Sequence, residues 1–440
     1  MANQIEIQPI NGPVDFTMQP PGSKSITNRA LLCAALAKEG ESQQGVSILS
    51  RSLKSDDTIV MINALKELGL DIRTAWEKQE IIVTGSNAGD FENKNATIEV
   101  NNSGTSIRFL TAALAMAGGS YRLQGVPRMH QRPIGPLVEA LNGLGCNVVA
   151  ESAGGCPPVT INNPRIKGGR TIVNGDISSQ YLSGLLMAAP LATEDVVIDL
   201  EGELVSKTYV EMTIKVMKKF HVTVESSIDY SRFMIAGSQE YSGGHDFIEP
   251  DASAASYFWA AAAICGGTAT VTELNKESLQ GDVQFVECLK QMGCKVEYKS
   301  TEIKVTGPAK TGIDIDMSDI SDTAQTLAVV AMFVEGPTRI RGIAHNRVKE
   351  TDRIGNLAIE LRKLGAEVTE HEDGLTITPG SLQPATIETY DDHRMAMSLS
   401  LAGLRHSGVV ITDPGCVSKT YPDYFKDFES NFGAKVVSKS

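Results

Sequence analysis

One pattern of apolar and polar positions recurs six times along the 440 residues of the chain. Each copy is a helix-like stretch that ends in Leu-Gly-x-x-Val, or a close variant, and continues into a β-branched run. The turn residues are Gly69, Gly145, His221, Gly293, Gly365 and Gly433. They are spaced 76, 76, 72, 72 and 68 residues apart. The sequence therefore predicts six repeats of about 73 residues.

Each repeat is predicted to alternate helices and strands. The turn residue occupies the left-handed position that ends many helices and favours glycine, and the β-branched run after it favours a strand. A second strand follows in five copies, at residues 81–85, 159–161, 233–237, 303–307 and 375–378. These alternating signals predict an α/β (α+β) fold.

A second helix, rich in Ala and Leu, is predicted in every repeat and opens with small polar residues. Its starts lie near Ser25, Gly104, Ser178, Asp251, Asp322 and Asp392. Such residues cap helix N-termini, and an ordinary cap is the simpler interpretation of Asp251. If the six positive helix ends converge, they attract an anion.

The six repeats divide most simply into three and three. The spacing shortens after His221, and a composition break lies at Ser242-Gly-Gly-His-Asp246. The first strand-like run, Ile5 to Ile10, is separated from the first polar helix start by Pro20-Pro21-Gly22. If that run belongs with the second half, the chain crosses twice from one lobe to the other.

Composition and charge reduce the number of function classes that fit the chain. The chain is 42% hydrophobic, and its 40 Lys+Arg and 53 Asp+Glu give a net charge of −13. This balance argues against a general nucleic-acid or anionic-membrane binder, so an anionic ligand requires a local basic site. The most apolar run, residues 257–265, is too short to span a bilayer, and no signal peptide is apparent. We expect a cytoplasmic protein.

Basic and hydroxyl side chains cluster at several predicted helix starts. Lys24, Ser25 and Arg29 offer a point charge, a hydroxyl and a planar fork to a phosphate or carboxylate. A glycine at a helix start, Gly104, lets a ligand approach the backbone, and Arg132 lies in a segment bounded by prolines. Each motif taken alone also fits an ordinary capped helix or a surface loop.

Later motifs add further polar groups. Ser178, Ser179 and Gln180 present neutral donors at the third polar helix start, although a cap alone also explains them. On a helix, Lys349, Glu350 and Arg353 would share one side. Arg394 and Lys419 follow near the C-terminus. The seven histidines show no metal-binding spacing, the seven cysteines include no Cys-x-x-Cys, and Cys416 is a weak candidate nucleophile.

Together these motifs resemble the 5-enolpyruvylshikimate-3-phosphate synthases of the enolpyruvyl transferase family. The resemblance extends from Gly22-Ser-Lys-Ser to residues 413–425, and the most specific motifs are Val348-Lys-Glu-Thr-Asp-Arg353 and Asp392-His-Arg-Met-Ala-Met397. It implies a two-lobed inside-out α/β barrel, each lobe made of three βαβαββ-type repeats, with the active site in the cleft. The lobes would be 1–21 with 249–440, and 22–248, with hinge segments near 20–22 and 246–250.

The resemblance also implies a reaction. The enolpyruvyl group of phosphoenolpyruvate would move to the 5-hydroxyl of shikimate 3-phosphate through a tetrahedral intermediate, with release of phosphate and without metal or cofactor. Asp322, Glu350 and Lys24 would be catalytic. Shikimate 3-phosphate would bind the residues Lys24, Ser25, Arg29, Ser178, Ser179, Gln180, Ser206, Asp322, His345 and Lys349. Phosphoenolpyruvate would bind the residues Lys24, Gly104, Arg132, Gln180, Arg353, Arg394 and Lys419.

Two positions depart from the family pattern. His345-Asn346 stand where Asn-Trp is common, and Phe109 follows Arg108 where Pro is common. We still expect sensitivity to glyphosate, the family's phosphoenolpyruvate-competing inhibitor, because Gly104 leaves room for it. We also expect a monomer that binds neither nucleic acid nor membrane. The alternative is enolpyruvyl transfer to a UDP-N-acetylaminosugar, whose enzymes usually use a loop cysteine as acid; Cys146 and Cys156 lie in the relevant half.

Overall fold

The structure is a computed structural model that describes residues 4–38, 45–237 and 239–439. Its α-helices are α1 (Lys24–Ala35), α2 (Asp56–Glu67), α3 (Gly104–Ala117), α4 (Gly135–Gly143), α5 (Ser179–Ala188), α6 (Lys207–Lys219), α7 (Ala252–Cys265), α8 (Phe285–Gln291), α9 (Ala324–Val330), α10 (Gly355–Lys363), α11 (His393–Ser400) and α12 (Tyr424–Phe432).

The strands follow the repeat. They are β1 (Gln4–Gln8), β2 (Val14–Met18), β3 (Val46–Ser50), β4 (Ile72–Ala75), β5 (Glu80–Thr84), β6 (Asn95–Glu99), β7 (Gly119–Gln124), β8 (Val148–Ser152), β9 (Cys156–Asn163), β10 (Gly169–Asn174), β11 (Val196–Glu201), β12 (Glu225–Ser226), β13 (Arg232–Ile235), β14 (His245–Phe247), β15 (Gly267–Thr272), β16 (Lys295–Tyr298), β17 (Glu302–Gly307), β18 (Asp314–Asp316), β19 (Thr338–Arg341), β20 (Glu367–His371), β21 (Gly374–Thr378), β22 (Ala385–Ile387), β23 (Val409–Thr412) and β24 (Lys435–Lys439).

The described residues form six four-stranded sheets with one topology. Their strand orders are β14-β3-β5-β4, β6-β7-β9-β8, β10-β11-β13-β12, β2-β15-β17-β16, β18-β19-β21-β20 and β22-β23-β1-β24. In each sheet the first pair of strands is parallel and the next two pairs are antiparallel. The predicted six-fold repeat and α/β class are therefore confirmed.

The first strand of the chain completes the last sheet. In the other five sheets the third strand is β5, β9, β13, β17 or β21, which are the five second strands predicted from the sequence. In the sixth sheet β1 occupies this place, with Ile5 opposite Ile411 and Ile7 opposite Val409. The third strand of the sixth sheet therefore comes from the N-terminal end of the chain and not from the sixth repeat.

The chain divides into two compact units. The continuous unit is Gly22–Ile248, and the discontinuous unit is Met1–Pro21 with Glu249–Ser440. Each contains three of the sheets. The hinge segments near 20–22 and 246–250 stay a prediction.

The turn residues that follow α2, α4, α6, α8, α10 and α12 are left-handed, as predicted for the five glycines. The φ angle is +96° at Gly69 and between +67° and +101° at the other four glycines, whereas His221 adopts +67° despite its Cβ. This conformation ends the helix and redirects the chain into a strand. The same backbone geometry is therefore present at His221, although the residue is not glycine.

Helices fill the interior of each unit. Every residue of α7 is buried, and the hydroxyls of Ser256, Thr326 and Ser398 link α7, α9 and α11 at 3.1 and 3.3 Å. The sheets keep one partly exposed face, as the alternating burial of β17 shows. Within the described ranges, no helix is long and apolar enough to cross a membrane.

Candidate active site

The first polar helix places Lys24 and Ser25 at its N-terminus. Ser23 caps α1, and its Oγ accepts a hydrogen bond from the N–H of Ile26 at 3.4 Å. Lys24 Nζ lies 3.3 Å from Asp57 Oδ2. Asp57 belongs to α2 and was not among the predicted site residues, because no local motif connects it to a lysine 33 positions earlier.

Arg29 is buried between two aromatic rings. Its Cζ lies 5.1 Å from the ring centroid of Phe109 and 5.8 Å from that of Tyr209. Its Nε donates to Thr213 Oγ1 at 2.7 Å, and its Nη1 donates to the carbonyl of Ser25 at 2.9 Å. Burial lowers the pKa of Arg29 to about 10. The guanidinium therefore ties α1 to α3 and α6.

Two guanidinium groups pack against Gly104, the first residue of α3. A Cβ added to Gly104 would lie 2.4 Å from Arg132 Nη2 and 2.8 Å from Arg108 Nη1. Arg132 donates to the carbonyl of Asn102 at 2.9 Å, and Arg108 donates to Gln180 Oε1 at 2.8 Å. We call Gly104, Arg108, Arg132 and Gln180 the Gly104 cluster. Arg108, which was not predicted as a site residue, orients the Gln180 amide.

The hydroxyl candidates lie at the starts of α5 and α6. Ser178 caps α5, and its Oγ accepts from the N–H of Gln180 at 3.3 Å. Ser179 follows it and is buried. Ser206 precedes α6 and is buried in the left-handed conformation, with a φ of +52°. A non-glycine residue in this region is held there by its surroundings.

In the discontinuous unit, three cationic side chains surround Asp322. Lys349 Nζ lies 2.6 Å from Oδ1, Arg353 Nη1 lies 3.3 Å from Oδ1, and Arg394 Nη2 lies 2.8 Å from Oδ2. The cations follow Asp322 in sequence by 27, 31 and 72 positions. The fold thus gathers charges that are far apart in the chain.

These charges shift the ionisation of the cluster. Burial raises the pKa of a carboxyl, but Arg394, Lys349 and Arg353 outweigh it and hold the pKa of Asp322 well below its usual range. Burial, together with Arg353, lowers the pKa of Lys349 although Asp322 opposes this. Asp322 is therefore ionised at neutral pH, and Lys349 gives up its proton more easily than an exposed lysine.

Arg353 connects three carboxylates. Besides Asp322, its Nη2 lies 2.8 Å from Glu350 Oε2, and its Nε lies 2.6 Å from Asp392 Oδ2. These carboxylates raise the pKa of Arg353 although burial lowers it. We call Asp322, Lys349, Glu350, Arg353, Asp392 and Arg394 the Asp322 cluster. It holds three cations and three carboxylates.

The other candidates of this unit lie on 3₁₀ helices. His345, in Ala344–Val348, lies with its Nε2 2.8 Å from Ser321 Oγ. Burial and Lys349 lower the pKa of His345 to about 3, so the imidazole is neutral at pH 7. Lys419 is buried at the end of Pro414–Lys419, where its charge opposes the burial that raises the pKa of Asp391.

The helical arrangement considered for one motif of this site does not occur. Lys349, Glu350 and Arg353 do not lie on a helix, because α10 begins only at Gly355. Asp352 Oδ1 accepts from the N–H groups of Ile354 and Gly355, both at 3.0 Å, and so fixes the helix start after the motif. The contact between Glu350 and Arg353 forms nevertheless, from a turn. Asp392 was recognised in the sequence only as a helix start, not as a partner of Arg353.

Cysteine chemistry finds no support in this structure. All seven cysteines are buried with free thiols. Burial raises the pKa of the Cys146 thiol to about 12, and it also raises the pKa values of Cys156 and Cys416. Such thiols are poor acids and nucleophiles at neutral pH. In the described part of the chain, no three His, Cys, Asp or Glu side chains gather as metal ligands.

Solved structures share the fold. The structure of EPSP synthase from Acinetobacter baumannii has a TM-score of 0.80 at 24% identity, and the match covers 98% of this chain and 99% of the other. The enolpyruvyl transferase NikO from Streptomyces tendae has a TM-score of 0.74 at 16% identity, with both chains covered completely. The fold class is thus the two-lobed inside-out α/β fold of these proteins.

Sequence comparison is more specific. A sequence model of EPSP synthase (3-phosphoshikimate 1-carboxyvinyltransferase) matches residues 7–428. The 3-phosphoshikimate 1-carboxyvinyltransferase of Photobacterium profundum is 47% identical over 426 residues, which cover 96% of this chain and 97% of the relative. The chloroplastic enzyme of that name from Brassica napus is 46% identical over 446 residues, which cover 98% and 85%. The chain therefore belongs to the EPSP synthase (3-phosphoshikimate 1-carboxyvinyltransferase) family.

Proposed function

We propose that this chain transfers the enolpyruvyl group of phosphoenolpyruvate to the 5-hydroxyl of shikimate 3-phosphate and releases phosphate. The observation that carries the mechanism is the Asp322 cluster, in which two candidate proton-transfer groups, Asp322 and Glu350, share Arg353. Both substrates are small polyanions, and the Asp322 cluster offers three cationic side chains in a chain that is acidic overall. The reaction is a step of the shikimate pathway toward aromatic amino acids.

Family resemblance assigns residues to each substrate. Shikimate 3-phosphate is held by the residues Lys24, Ser25, Arg29, Ser178, Ser179, Gln180, Ser206, Asp322, His345 and Lys349. Phosphoenolpyruvate is held by the residues Lys24, Gly104, Arg132, Gln180, Arg353, Arg394 and Lys419. The guanidinium groups suit the planar carboxylate and phosphate, which they bind through paired N–H donors. Neutral His345 can donate or accept one hydrogen bond but adds no charge.

The proposed chemistry needs one proton donor and one proton acceptor. Glu350 gives a proton to the methylene carbon of phosphoenolpyruvate while the 5-oxygen of shikimate 3-phosphate bonds to the adjacent carbon. Asp322 takes the proton from that hydroxyl. The tetrahedral intermediate then returns a proton from its methyl group to the Glu350 carboxylate, the double bond forms again, and the C–O bond to phosphate breaks so that phosphate leaves. Lys24 neutralises charge that develops on the departing phosphate.

The electrostatics of the cluster support the role of Asp322. Asp322 is ionised, so it can accept a proton, but its cationic neighbours make it a weak base in the free enzyme. Anionic substrates that bind Lys349 and Arg394 offset those cations, and Asp322 then becomes more basic. Substrate binding therefore prepares Asp322 to accept a proton.

A coupled phosphate-release assay with both substrates tests the proposal. The wild type should release phosphate only when both are present. Asp322→Ala and Glu350→Gln should each lower kcat by about 10²–10⁴-fold, the usual contribution of general acid–base catalysis. Asp251→Asn is the matched control, because Asp251 is the corresponding helix-start aspartate of the preceding repeat and caps α7. Near-normal turnover by either variant, with substrate binding intact, would remove the assignment.

The same assay separates the alternative acceptor. With a UDP-N-acetylaminosugar in place of shikimate 3-phosphate, we expect no phosphate release. We also propose that glyphosate competes with phosphoenolpyruvate, that the protein is a monomer and that it works in the cytoplasm. Inhibition kinetics, light scattering and cell fractionation test these three statements separately.

A further inference from the structure

A buried carboxylate outside the Asp322 cluster contacts the turn that leads to Arg394. Glu360 lies in α10 and has no solvent exposure. Its oxygens accept hydrogen bonds from Tyr390 Oη at 2.7 Å and from the main-chain N–H of Glu388 at 3.2 Å. Lys363 Nζ lies 2.9 Å from the same carboxylate. Because a buried carboxylate requires several donors, Glu360 is firmly tied to residues 388–390.

The turn it contacts has an unfavourable backbone. Tyr390 and Asp391, which connect β22 to α11, both have a φ of +55°. Neither is glycine, so the Cβ atom disfavours this left-handed conformation, and surrounding contacts must maintain it. The hydrogen bonds from Tyr390 and Glu388 to Glu360 supply such contacts on the side of the turn that leads from β22.

The other side of the turn is held by the Asp322 cluster. Asp392 ends the turn, binds Arg353 through both carboxylate oxygens at 2.6 and 3.1 Å, and accepts from the N–H of Arg394 at 2.9 Å. Arg353 immediately precedes α10, and Glu360 lies within that helix. The segment 353–360 therefore contacts the turn at two places, through Arg353 and through Glu360. Arg353 is also a proposed ligand of phosphoenolpyruvate.

We propose that Glu360 is a positioning residue for phosphoenolpyruvate binding. It holds the strained turn through Tyr390 and Glu388, and the turn in turn holds Asp392 and Arg394 in register with Arg353. Burial and the hydrogen bond to Glu360 raise the pKa of Tyr390, so its hydroxyl stays a donor throughout the physiological range. The inference rests on the proposed function, because it takes Arg353 and Arg394 as ligands of phosphoenolpyruvate.

Two conservative variants and a matched control test the proposal. Tyr390→Phe removes one donor to Glu360, and Glu360→Gln removes the carboxylate while keeping its shape. Tyr298→Phe is the control, since Tyr298 Oη donates to Glu287 Oε1 at 2.5 Å in the preceding repeat, outside the Asp322 cluster. For each purified full-length variant, the measurements are kcat, the KM of each substrate, and amide hydrogen exchange of residues 388–396 without substrate.

Tyr390→Phe should raise the KM of phosphoenolpyruvate by about fivefold, which is the order expected for one lost hydrogen bond. The KM of shikimate 3-phosphate should change much less. Glu360→Gln should raise this KM further. The double variant should resemble Glu360→Gln, because both substitutions act on the same contact between Tyr390 and residue 360. Exchange in residues 388–396 should accelerate in both variants. Tyr298→Phe should leave both KM values and this exchange unchanged.

The proposal is overturned if Tyr390→Phe folds and matches Tyr298→Phe in the KM of phosphoenolpyruvate and in exchange. A fall in Tm alone would mean a merely structural contact and would also overturn it. If Glu360→Gln does not fold, Tyr390→Phe still decides the question. If the wild type releases no phosphate, the proposed function fails, and the exchange measurement alone then decides whether Glu360 holds the turn.

Discussion

Replacing Gly104 by alanine tests the packing of the Gly104 cluster directly. The new Cβ would lie 2.4 Å from Arg132 Nη2, whereas ordinary contact begins at 3.4 Å. The guanidinium therefore has to move by about 1 Å, or else the start of α3 has to move. Arg132 is buried and its Nη1 is bound to the carbonyl of Asn102 at 2.9 Å, so the displacement cannot be absorbed by a solvent-exposed side chain.

The expected magnitude follows from this displacement. A hydrogen bond to a charged group contributes about 1.5–3 kcal/mol, and about 1.4 kcal/mol corresponds to a tenfold change in binding. Loss of one phosphoenolpyruvate contact by Arg132 should therefore raise the KM of that substrate by about 10- to 100-fold. The KM of shikimate 3-phosphate should rise less, since the Cβ lies nearest to Arg132, which is assigned to phosphoenolpyruvate alone, and affects Gln180, which is assigned to both substrates, only through Arg108.

Gly135→Ala is the matched control for this prediction. Gly135 is the first residue of α4, as Gly104 is of α3. A Cβ at Gly135 meets its nearest neighbour, the Cα of Gly155, at 3.6 Å. In steady-state phosphate-release assays at varied phosphoenolpyruvate concentration, Gly135→Ala should therefore show a KM close to that of wild type. If both alanine variants show the same KM for phosphoenolpyruvate, either Arg132 does not bind this substrate or Gly104 does not constrain it.

Three further predictions follow from single features. Substrate anions should raise the low pKa of Asp322 and the lowered pKa of Lys349, so substrate binding should take up protons and should tighten as the pH falls. Titration calorimetry in two buffers of different ionisation enthalpy should show this proton uptake. Proton release on binding would contradict the reasoning. Phe109→Leu should lower the free energy of unfolding by about 1–3 kcal/mol, because it removes the ring beside Arg29; a urea midpoint equal to that of wild type would refute this. His221→Gly should raise the free energy of unfolding by about 1 kcal/mol by relieving a left-handed histidine, while His221→Ala should not.

Much of the architecture could be predicted because it depends on local chemistry. Glycine after a helix and a β-branched run after the glycine each have a direct conformational cause, and the glycine recurs in five of the six repeats, which identifies the repeat. Even His221, which breaks the glycine pattern, takes the left-handed conformation, with a φ of +67°. The third strand of the sixth sheet could not be located from the sequence of the sixth repeat, since β1 and its partner β23 are about 400 residues apart along the chain.

The candidate site was less predictable, for a physical reason. Motifs identify groups that share a short segment, such as Glu350 and Arg353, but partners that approach through tertiary structure leave no local pattern. Asp57 beside Lys24 and Arg108 beside Gln180 are examples. Residues 349–353 also do not form a helix, because Asp352 accepts hydrogen bonds from the N–H groups of Ile354 and Gly355 and α10 begins only at Gly355.

The most informative departure from the repeat concerns three aspartates at equivalent helix starts in the discontinuous unit. Asp251 and Asp392 cap α7 and α11, accepting from the N–H groups of Ala254 and Arg394, both at 2.9 Å. At Asp322 a 3₁₀ helix, Ser318–Thr323, precedes α9, and α9 begins at Ala324 without a side-chain cap. The carboxylate of Asp322 is directed to Lys349, Arg353 and Arg394 instead. A cap is worth about 1 kcal/mol, so forgoing it in one repeat is a small cost for a carboxylate that three cations keep ionised, and the repeats differ in chemistry at this position although their sheets share one topology.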